Sequence, residues 1–141
     1  MSALYTTEML ALAVSLAEYP LSPDLPLRAE ARSTTCGSCI EIGLDTSDDN
    51  RISRIGAMVS ACAVGQSAAA LFLREARGRS SEDVSRAARA VETWLAGAGP
   101  EPDWPGIAIL APVVAHPGRH GAVLLPWTAA RAALAKQAAR G

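Results

Sequence analysis

Hydrophobic and polar positions change their period twice along the chain, and each change predicts a different element. From Tyr5 to Leu16 the apolar residues recur at helical spacing, with Thr6 or Thr7 as the N-cap. Prolines at positions 20, 23 and 26 then end this helix, because proline lacks the backbone N–H that a helix interior needs. The sequence therefore predicts an N-terminal helix followed by a loop.

The period then falls to two, which is typical of strands with one buried face. Residues 27–32 form the first alternating run, and residues 39–45 form the second. A turn-forming cluster over 46–50 separates the second run from a third over 51–59. The apolar phase of the third run slips between Ile52 and Ile55, which predicts a β-bulge. Short links between the three runs favour an antiparallel meander.

After Cys62 the pattern becomes helical. Residues 64–77 are predicted to form a helix ending at Gly78, and Ser80 caps a second helix along the stripe from Val84 to Leu95. A short apolar segment follows over 107–114, then a turn-rich link over 116–121. A final helix is predicted over 124–138, with an inward face formed by Trp127, Ala130 and Leu134. Three strands followed by helices predict a two-layer α+β fold, and residues 1–141 are interpreted as a single domain.

Composition narrows the class of protein. Half of the residues are hydrophobic, 19% are charged and the net charge is −1, so a globular protein without a nucleic-acid surface is expected. We see neither a membrane span nor a signal peptide. Three cysteines without a sign of secretion favour reduced thiols in the cytoplasm.

The three cysteines carry the most suggestive chemistry, since thiolates bind iron, zinc and iron–sulfur clusters and carry sulfur. Cys36 and Cys39 form a Cys-x-x-Cys pair. A thioredoxin-like redox dithiol needs a helix at this place, whereas the residues after Cys39 alternate as a strand. A zinc ribbon needs a second such pair, and the sequence has none. Cys39 taken by itself is better interpreted as a small buried residue. Cys62 follows a strand and opens a helix, whose positive end favours a thiolate. An inert buried cysteine is the equally weighted alternative for Cys62.

Residues 31–72 resemble the U-type iron–sulfur cluster scaffold family, which comprises IscU, SufU and the N-terminal domain of NifU. Cys36-Gly37 corresponds to the family's first cysteine, and Ala61-Cys62-Ala63-Val64-Gly65 to the cysteine that opens a helix. The segment Leu124-Leu125-Pro126-Trp127 is similar to the start of the family's last helix. The resemblance implies a three-stranded antiparallel sheet packed by an N-terminal helix and several C-terminal helices.

The same resemblance implies a scaffold and not an enzyme. Cys36 and Cys62 would accept persulfide sulfur from a cysteine desulfurase and hold iron or a [2Fe–2S] cluster for cluster-accepting proteins. No self-contained catalytic motif is present in the sequence.

Two ligand positions of the family are changed. The family's usual aspartate corresponds to Ser38. Its third cysteine corresponds to Ala122, or to Pro117 in an alternative alignment. Cys39 and His120 are candidate replacements, so that the four residues Cys36, Cys39, Cys62 and His120 would form a set suited to zinc or a [2Fe–2S] cluster. The competing interpretation of His120 is an ordinary loop residue.

Two further hypotheses remain open at this point. The first is a degenerate relative without a cluster, which acts as a docking or regulatory module for a cysteine desulfurase. The second is a zinc-binding member in which zinc holds the thiolates until they are exchanged.

Overall fold

The computed structural model describes residues 4–34 and 37–140. It is an α+β fold in which one helix precedes three strands and further helices follow, so the predicted fold class is confirmed. The regular elements, in chain order, are α1 Thr7–Ser15, β1 Leu27–Arg32, β2 Cys39–Thr46, β3 Ile52–Ser60, α2 Ala63–Arg74, α3 Ser81–Leu95 and α4 His120–Arg140, with 3₁₀ segments at Leu16–Glu18, Ile107–Ala115 and Pro117–Arg119.

The three strands pair as the predicted antiparallel meander, in the order β1-β2-β3. Near the β2–β3 turn, Asp45 pairs with Arg54 while the next residue, Thr46, pairs with Ile52. Ser53 is therefore an extra residue on β3, which is the predicted bulge.

One face of the sheet forms the core with the helices. Ile40, Ile42 and Leu44 of β2 are almost fully buried, and α4 packs against β1 and β2 on that side. Helix α2 lies between α1 and α4. Burying this face and the apolar helix stripes together supplies the main driving force for folding.

The opposite face of the sheet is called the outer face here. The loop after α1 crosses this face. A Cβ on Gly56 would be only 2.0 Å from the carbonyl oxygen of Pro20, so there is no room for a side chain. Gly43 is covered in the same way by the side chains of Leu21 and Leu25. Glycine at these two positions lets the loop lie directly on the strands, so half of the outer face is covered.

Three aromatic rings join α2, the loop before Ile107 and α4. Phe72 and Trp104 are stacked with ring centroids 5.2 Å apart, and Trp127 meets both rings edge-on at 5.4 Å. The indole N–H of Trp104 donates a hydrogen bond to the Leu71 carbonyl at 3.2 Å, and the guanidinium of Arg79 lies 4.2 Å from the Trp104 ring centroid. These contacts hold α4 firmly against α2.

The last helix begins earlier than the sequence predicts. Residues 116–121, predicted as a link, form a 3₁₀ turn over Pro117–Arg119 and the start of α4 at His120. Pro117 stands in the first turn of this helical segment, where the missing N–H has no helical partner to lose. No helix among residues 4–34 and 37–140 has the length and hydropathy to cross a membrane.

Candidate functional site

Two loops that matter for the cysteines lie at one end of the sheet. Arg32, the last residue of β1, pairs with Cys39, the first residue of β2, and Cys39 pairs in turn with Ser60 at the end of β3. The β1–β2 connection and the β3–α2 junction are therefore neighbours. Cys36 belongs to that connection by sequence but lies outside the described residues. The structure thus brings the segments that carry Cys36 and Cys62 to the same edge of the molecule.

Cys62 is the N-cap of α2. Its backbone is extended (φ −67°, ψ 174°), and its carbonyl accepts the first helical hydrogen bond from the Gln66 N–H at 2.9 Å. The thiol is partly exposed and makes no capping hydrogen bond. The first-turn amides of α2 have no partner within the helix, and these amides with the helix dipole attract negative charge. Cys62 therefore stands at the positive end of α2.

The side chain of Gln66 stabilises this junction. Its amide nitrogen donates to the carbonyl of Ala61 at 2.9 Å, so the residue before Cys62 is tied to the first turn of α2. Sequence reasoning did not assign Gln66 this role. Its position four residues after an N-cap is the only signal that the sequence offers.

Ala122 lies against the same helical turn. A Cβ on Gly65 would be 2.6 Å from the Cβ of Ala61 and 3.5 Å from the Cβ of Ala122, and Ala122 is fully buried. The first turn of α4 therefore packs beside the residues that surround Cys62. The alignment that matches Ala122 to a ligand position of the family puts a methyl group there, which has no lone pair to offer a metal.

Ser38 is also buried, in the tight β1–β2 connection. The N–H of Ser33 donates to the Ser38 carbonyl at 2.8 Å, and the N–H of Gly37 donates to the Ser33 carbonyl at 3.1 Å. Gly37 has a φ of +72°, a conformation that glycine adopts without strain. The hydroxyl at position 38 is neutral and cannot supply the carboxylate charge that an aspartate would bring to a cation.

Cys39 is on the outer face. Its strand neighbours Ile40 and Ile42 alternate with it and are buried on the opposite face, and Cys39 pairs regularly with both Arg32 and Ser60. It lines a small cavity with residues of the outer face. The strand start is regular, whereas the predicted ligand role for Cys39 required an irregular one that turns the thiol inward.

His120 is held by the 3₁₀ segment that precedes α4. Its Nε2 lies 3.0 Å from the carbonyl oxygens of both Val113 and Val114. Carbonyl oxygens only accept hydrogen bonds, so Nε2 carries the proton and donates. Nδ1 is then the nitrogen of His120 that has a lone pair for a metal.

Among residues 4–34 and 37–140, no three Cys, His, Asp or Glu side chains are arranged to hold a metal ion. The predicted ligand set includes Cys36, which lies outside this range. The ligand roles of Cys36, Cys39, Cys62 and His120 stay predictions. What the structure does establish is a junction with Cys62 at a helix N-cap, Ala122 beside it and the Cys36 connection at the same edge.

Sequence comparison gives no assignment: no family model matches the chain, and no curated protein matches it significantly. Solved structures do match over nearly the whole length. A nitrogen-fixing NifU-like protein (N-terminal) from Brucella abortus has a TM-score of 0.90 at 22% identity, over 98% of this chain and 96% of that one. A putative iron–sulfur cluster assembly scaffold protein for the SUF system from Fervidobacterium islandicum AW-1 has a TM-score of 0.83 at 17% identity, over 93% and 96%.

A third structure, of a hypothetical protein, has a TM-score of 0.73 at 20% identity and covers 90% of this chain and 96% of that one. All three identities are below 25%, so the comparison establishes the fold. The predicted resemblance to the U-type scaffold family is confirmed at the level of structure.

Proposed function

We propose that this chain, which folds like NifU-like N-terminal and SufU proteins, is a scaffold-like protein of iron–sulfur cluster assembly and not an enzyme. The observation that carries the proposal is the position of Cys62. Within this fold Cys62 is the N-cap residue of α2 and has a partly exposed thiol. It lies at the end of the sheet where the β1–β2 connection, which contains Cys36 by sequence, also lies. A sulfur nucleophile at a helix N-cap is suited to accept and hold sulfur.

Sulfur acceptance at Cys62 or Cys36 is a thiol exchange. The thiolate attacks the outer sulfur of a persulfide on a donor protein, a new S–S bond forms, and the donor's S–S bond breaks. The donor leaves as a thiolate and takes up a proton. No oxidant or reductant is needed, because one persulfide replaces another. A cysteine desulfurase is the class of donor that the fold comparison supports, and cluster-accepting proteins would be the recipients.

Iron or a nascent [2Fe–2S] cluster is the proposed cargo. The thiolates of Cys36 and Cys62 are the ligands of choice for iron, whereas Ser38 and Ala122 contribute neither charge nor a thiolate. Affinity rises with the number of charged ligands, so we expect weak and reversible retention. Nδ1 of His120, in the first turn of α4, is the sequence-predicted supplement.

A direct test is metal and sulfur loading of protein purified without oxygen. We expect iron and sulfide with charge-transfer absorption directly after reconstitution, most of it lost on gel filtration, and a persulfide after incubation with a cysteine desulfurase and cysteine. Cys36→Ser and Cys62→Ser should each reduce both signals. Cys39→Ser is the matched control. It removes the thiol that lies on the outer face of the sheet and should change neither signal.

The proposal fails if Cys62→Ser loads iron and accepts sulfur as well as the wild-type chain. His120→Ala tests the supplementary ligand in the same assay. Unchanged iron retention in that variant would remove His120 from the site.

The burial of Ala122 favours one alternative function. The third ligand position is closed by methyl contacts, which suits a relative without a cluster that docks on a cysteine desulfurase and regulates it. In that case reconstituted protein would hold no iron, and Cys62→Ser would still bind the desulfurase with unchanged affinity. A third outcome is purified protein that contains zinc and gains no colour with iron. That result would support the zinc-binding hypothesis, in which zinc holds the thiolates until they are exchanged.

A further inference from the structure

The outer face has an open half beside the covered one. Gly43 and Gly56 lie under the loop of residues 20–25, whereas the next cross-strand row, Glu30–Glu41–Met58, lies beyond that loop. Met58, on the edge strand β3 at the end of this row, is 66% exposed although it is a large apolar side chain. Methionine is enriched in the apolar cores of protein interfaces, and polar residues lie at their rims.

Two carboxylates face each other in that row. Glu30 and Glu41 are direct cross-strand partners, an arrangement in which like charges repel. Arg28 forms an ion pair with Glu41 at 3.5 Å, but its guanidinium also donates to the Ser22 and Leu25 carbonyls and is directed toward the loop. Within the described part of the chain, Glu30 makes no ion pair or side-chain hydrogen bond.

The arginines nearby on β1 do not line the cavity beside Glu30. Arg28 and Arg32 flank Glu30 on its own strand, and neither lines the cavity beside it. Arg32 is exposed and makes no ion pair within the described residues. The lining of the cavity therefore contains two acidic residues and no basic one.

The cavity has the size and lining for one side chain. It measures about 160 Å³ and is formed by Glu30, Glu41, Met58, Ser60 and the Cys39–Ile40 segment. Sites for cofactors and small molecules usually span about 300–1,000 Å³, so this one is too small for them. A mostly apolar lining that includes two glutamates matches a long aliphatic stem that ends in a cation.

We propose that this surface, which we call the Glu30–Met58 face, docks a partner protein through an arginine. The guanidinium would lie between the carboxylates of Glu30 and Glu41, and its planar fork forms stronger paired hydrogen bonds with carboxylates than an ammonium does. Apolar neighbours of that arginine would cover Met58. Charge complementarity at a cavity of single-residue size is what selects this occupant, and the proposal does not depend on sulfur or iron chemistry.

A partner docked on the Glu30–Met58 face would lie close to the candidate site. Cys39 and Ser60 form the next row, at the sheet end that also carries the Cys36 connection and the Cys62 junction. A partner seated on the Glu30–Met58 face would stand beside that edge and cover the thiol of Cys39.

The first test is a titration of the full chain with acetyl-Leu-Arg-Leu-amide, followed by amide shifts in nuclear magnetic resonance spectra. The control peptide replaces arginine with citrulline, its uncharged isostere. We expect shifts grouped at residues 30, 41 and 58 for the arginine peptide, about tenfold weaker binding of the citrulline peptide, and weakening by added salt. Equal binding of both peptides, shifts grouped elsewhere or no binding overturns the proposal.

Variants make the test specific. Glu30→Gln and Glu41→Gln should each weaken the arginine peptide about tenfold, since one charged partner of the guanidinium is lost. Glu92→Gln is the matched control, an exposed glutamate on α3, and should bind as the wild-type chain does. Spectra of the free variants report whether they are folded. Unchanged affinity in both cavity variants contradicts the assignment.

Cys39 supplies a second, independent measurement. In the Cys36→Ser/Cys62→Ser chain it is the one remaining thiol of three, so its alkylation by iodoacetamide can be followed directly. The arginine peptide should slow this reaction and the citrulline peptide should not. A concentration-dependent dimer that loses Met58 exposure without peptide would assign the face to a second copy and overturn the proposal.

Discussion

Gly56 shows how a single residue fixes the path of the chain over the outer face. A Cβ at this position would stand 2.0 Å from the Pro20 carbonyl oxygen and 2.8 Å from its carbon, both of them backbone atoms. The loop must therefore move if any other residue is placed there. Ala57 donates its N–H to the Tyr19 carbonyl at 2.9 Å, so the same movement would strain that hydrogen bond.

We expect Gly56→Ala to lower the free energy of unfolding by about 1–3 kcal/mol, because overpacking against backbone cannot be relieved by a side-chain rotation. Urea unfolding followed by circular dichroism measures the change. Gly118→Ala is the control, since a Cβ at position 118 would have no heavy atom within 4 Å and the φ of Gly118 is outside the left-handed region. Equal effects of the two substitutions would refute the steric explanation.

Some features of the candidate site could be predicted from the sequence and others could not. The helical pattern after Cys62 predicts its place at a helix N-terminus, and the structure confirms it. The burial of Ala122 beside Gly65 could not be predicted, because it depends on contact between α2 and α4, residues far apart in sequence. The two carbonyl partners of His120 depend on the 3₁₀ segment in the same way.

Among the elements, α3 is the one whose start the sequence defines best. Ser80 accepts a hydrogen bond from the Asp83 N–H at 3.1 Å, and the Asp83 carboxylate accepts one from the Ser80 N–H at 3.0 Å, which completes a capping box. The backbone hydrogen bond from Ser80 is the main reason that the pKa of Asp83 lies below its usual value of 3.8, and Arg51 and Arg86 add smaller contributions.

This lowered pKa has a defined effect on stability. The folded state binds the Asp83 proton more weakly than the unfolded chain does, so ionised Asp83 stabilises the fold above pH of about 4 and this contribution is lost as pH falls through the folded pKa. Asp83→Asn keeps an acceptor oxygen but no charge. We expect the stability difference between wild type and Asp83→Asn to be constant near neutral pH and to shrink below about pH 4.

Unfolding free energies measured from pH 7 to pH 2.5 would check this prediction. Asp103→Asn is the control, because Asp103 is exposed and makes no ion pair among the described residues. A difference that stays constant to the lowest pH would show that the Asp83 charge does not contribute.

For the molecule as a whole, the candidate site depends on how sheet, α2 and α4 are assembled. The rings of Phe72, Trp104 and Trp127 join α2 to α4, and Ala122 lies at the other end of that contact, beside Gly65. A donor atom introduced at position 122 is therefore held by a rigid core against the first turn of α2.

We expect Ala122→Cys to increase iron retention by about tenfold or more, because a third thiolate raises the number of charged ligands. The buried position makes the substitution cost about 1 kcal/mol or more in stability through overpacking. Iron content after gel filtration measures retention, and Ala122→Ser, similar in size with a harder and weaker ligand, is the control. Equal retention by wild type and Ala122→Cys would place position 122 outside the site.

The local elements of this protein are readable from the pattern of its residues alone. Period two and period 3.6, the prolines after α1 and the capping residue of α3 identify the order of strands and helices, and the phase slip near Ile52 identifies the bulge. These features are readable because each depends on residues within a few positions of one another.

Contacts between distant side chains, in contrast, follow from the assembled fold. It placed Cys39 on the outer face, packed Ala122 into the first turn of α2, bound His120 to the carbonyls before α4 and set Glu30 beside Glu41 and Met58. Strand register and helix packing create these contacts between distant residues, and the energy that selects them is burial of the whole core rather than any local preference.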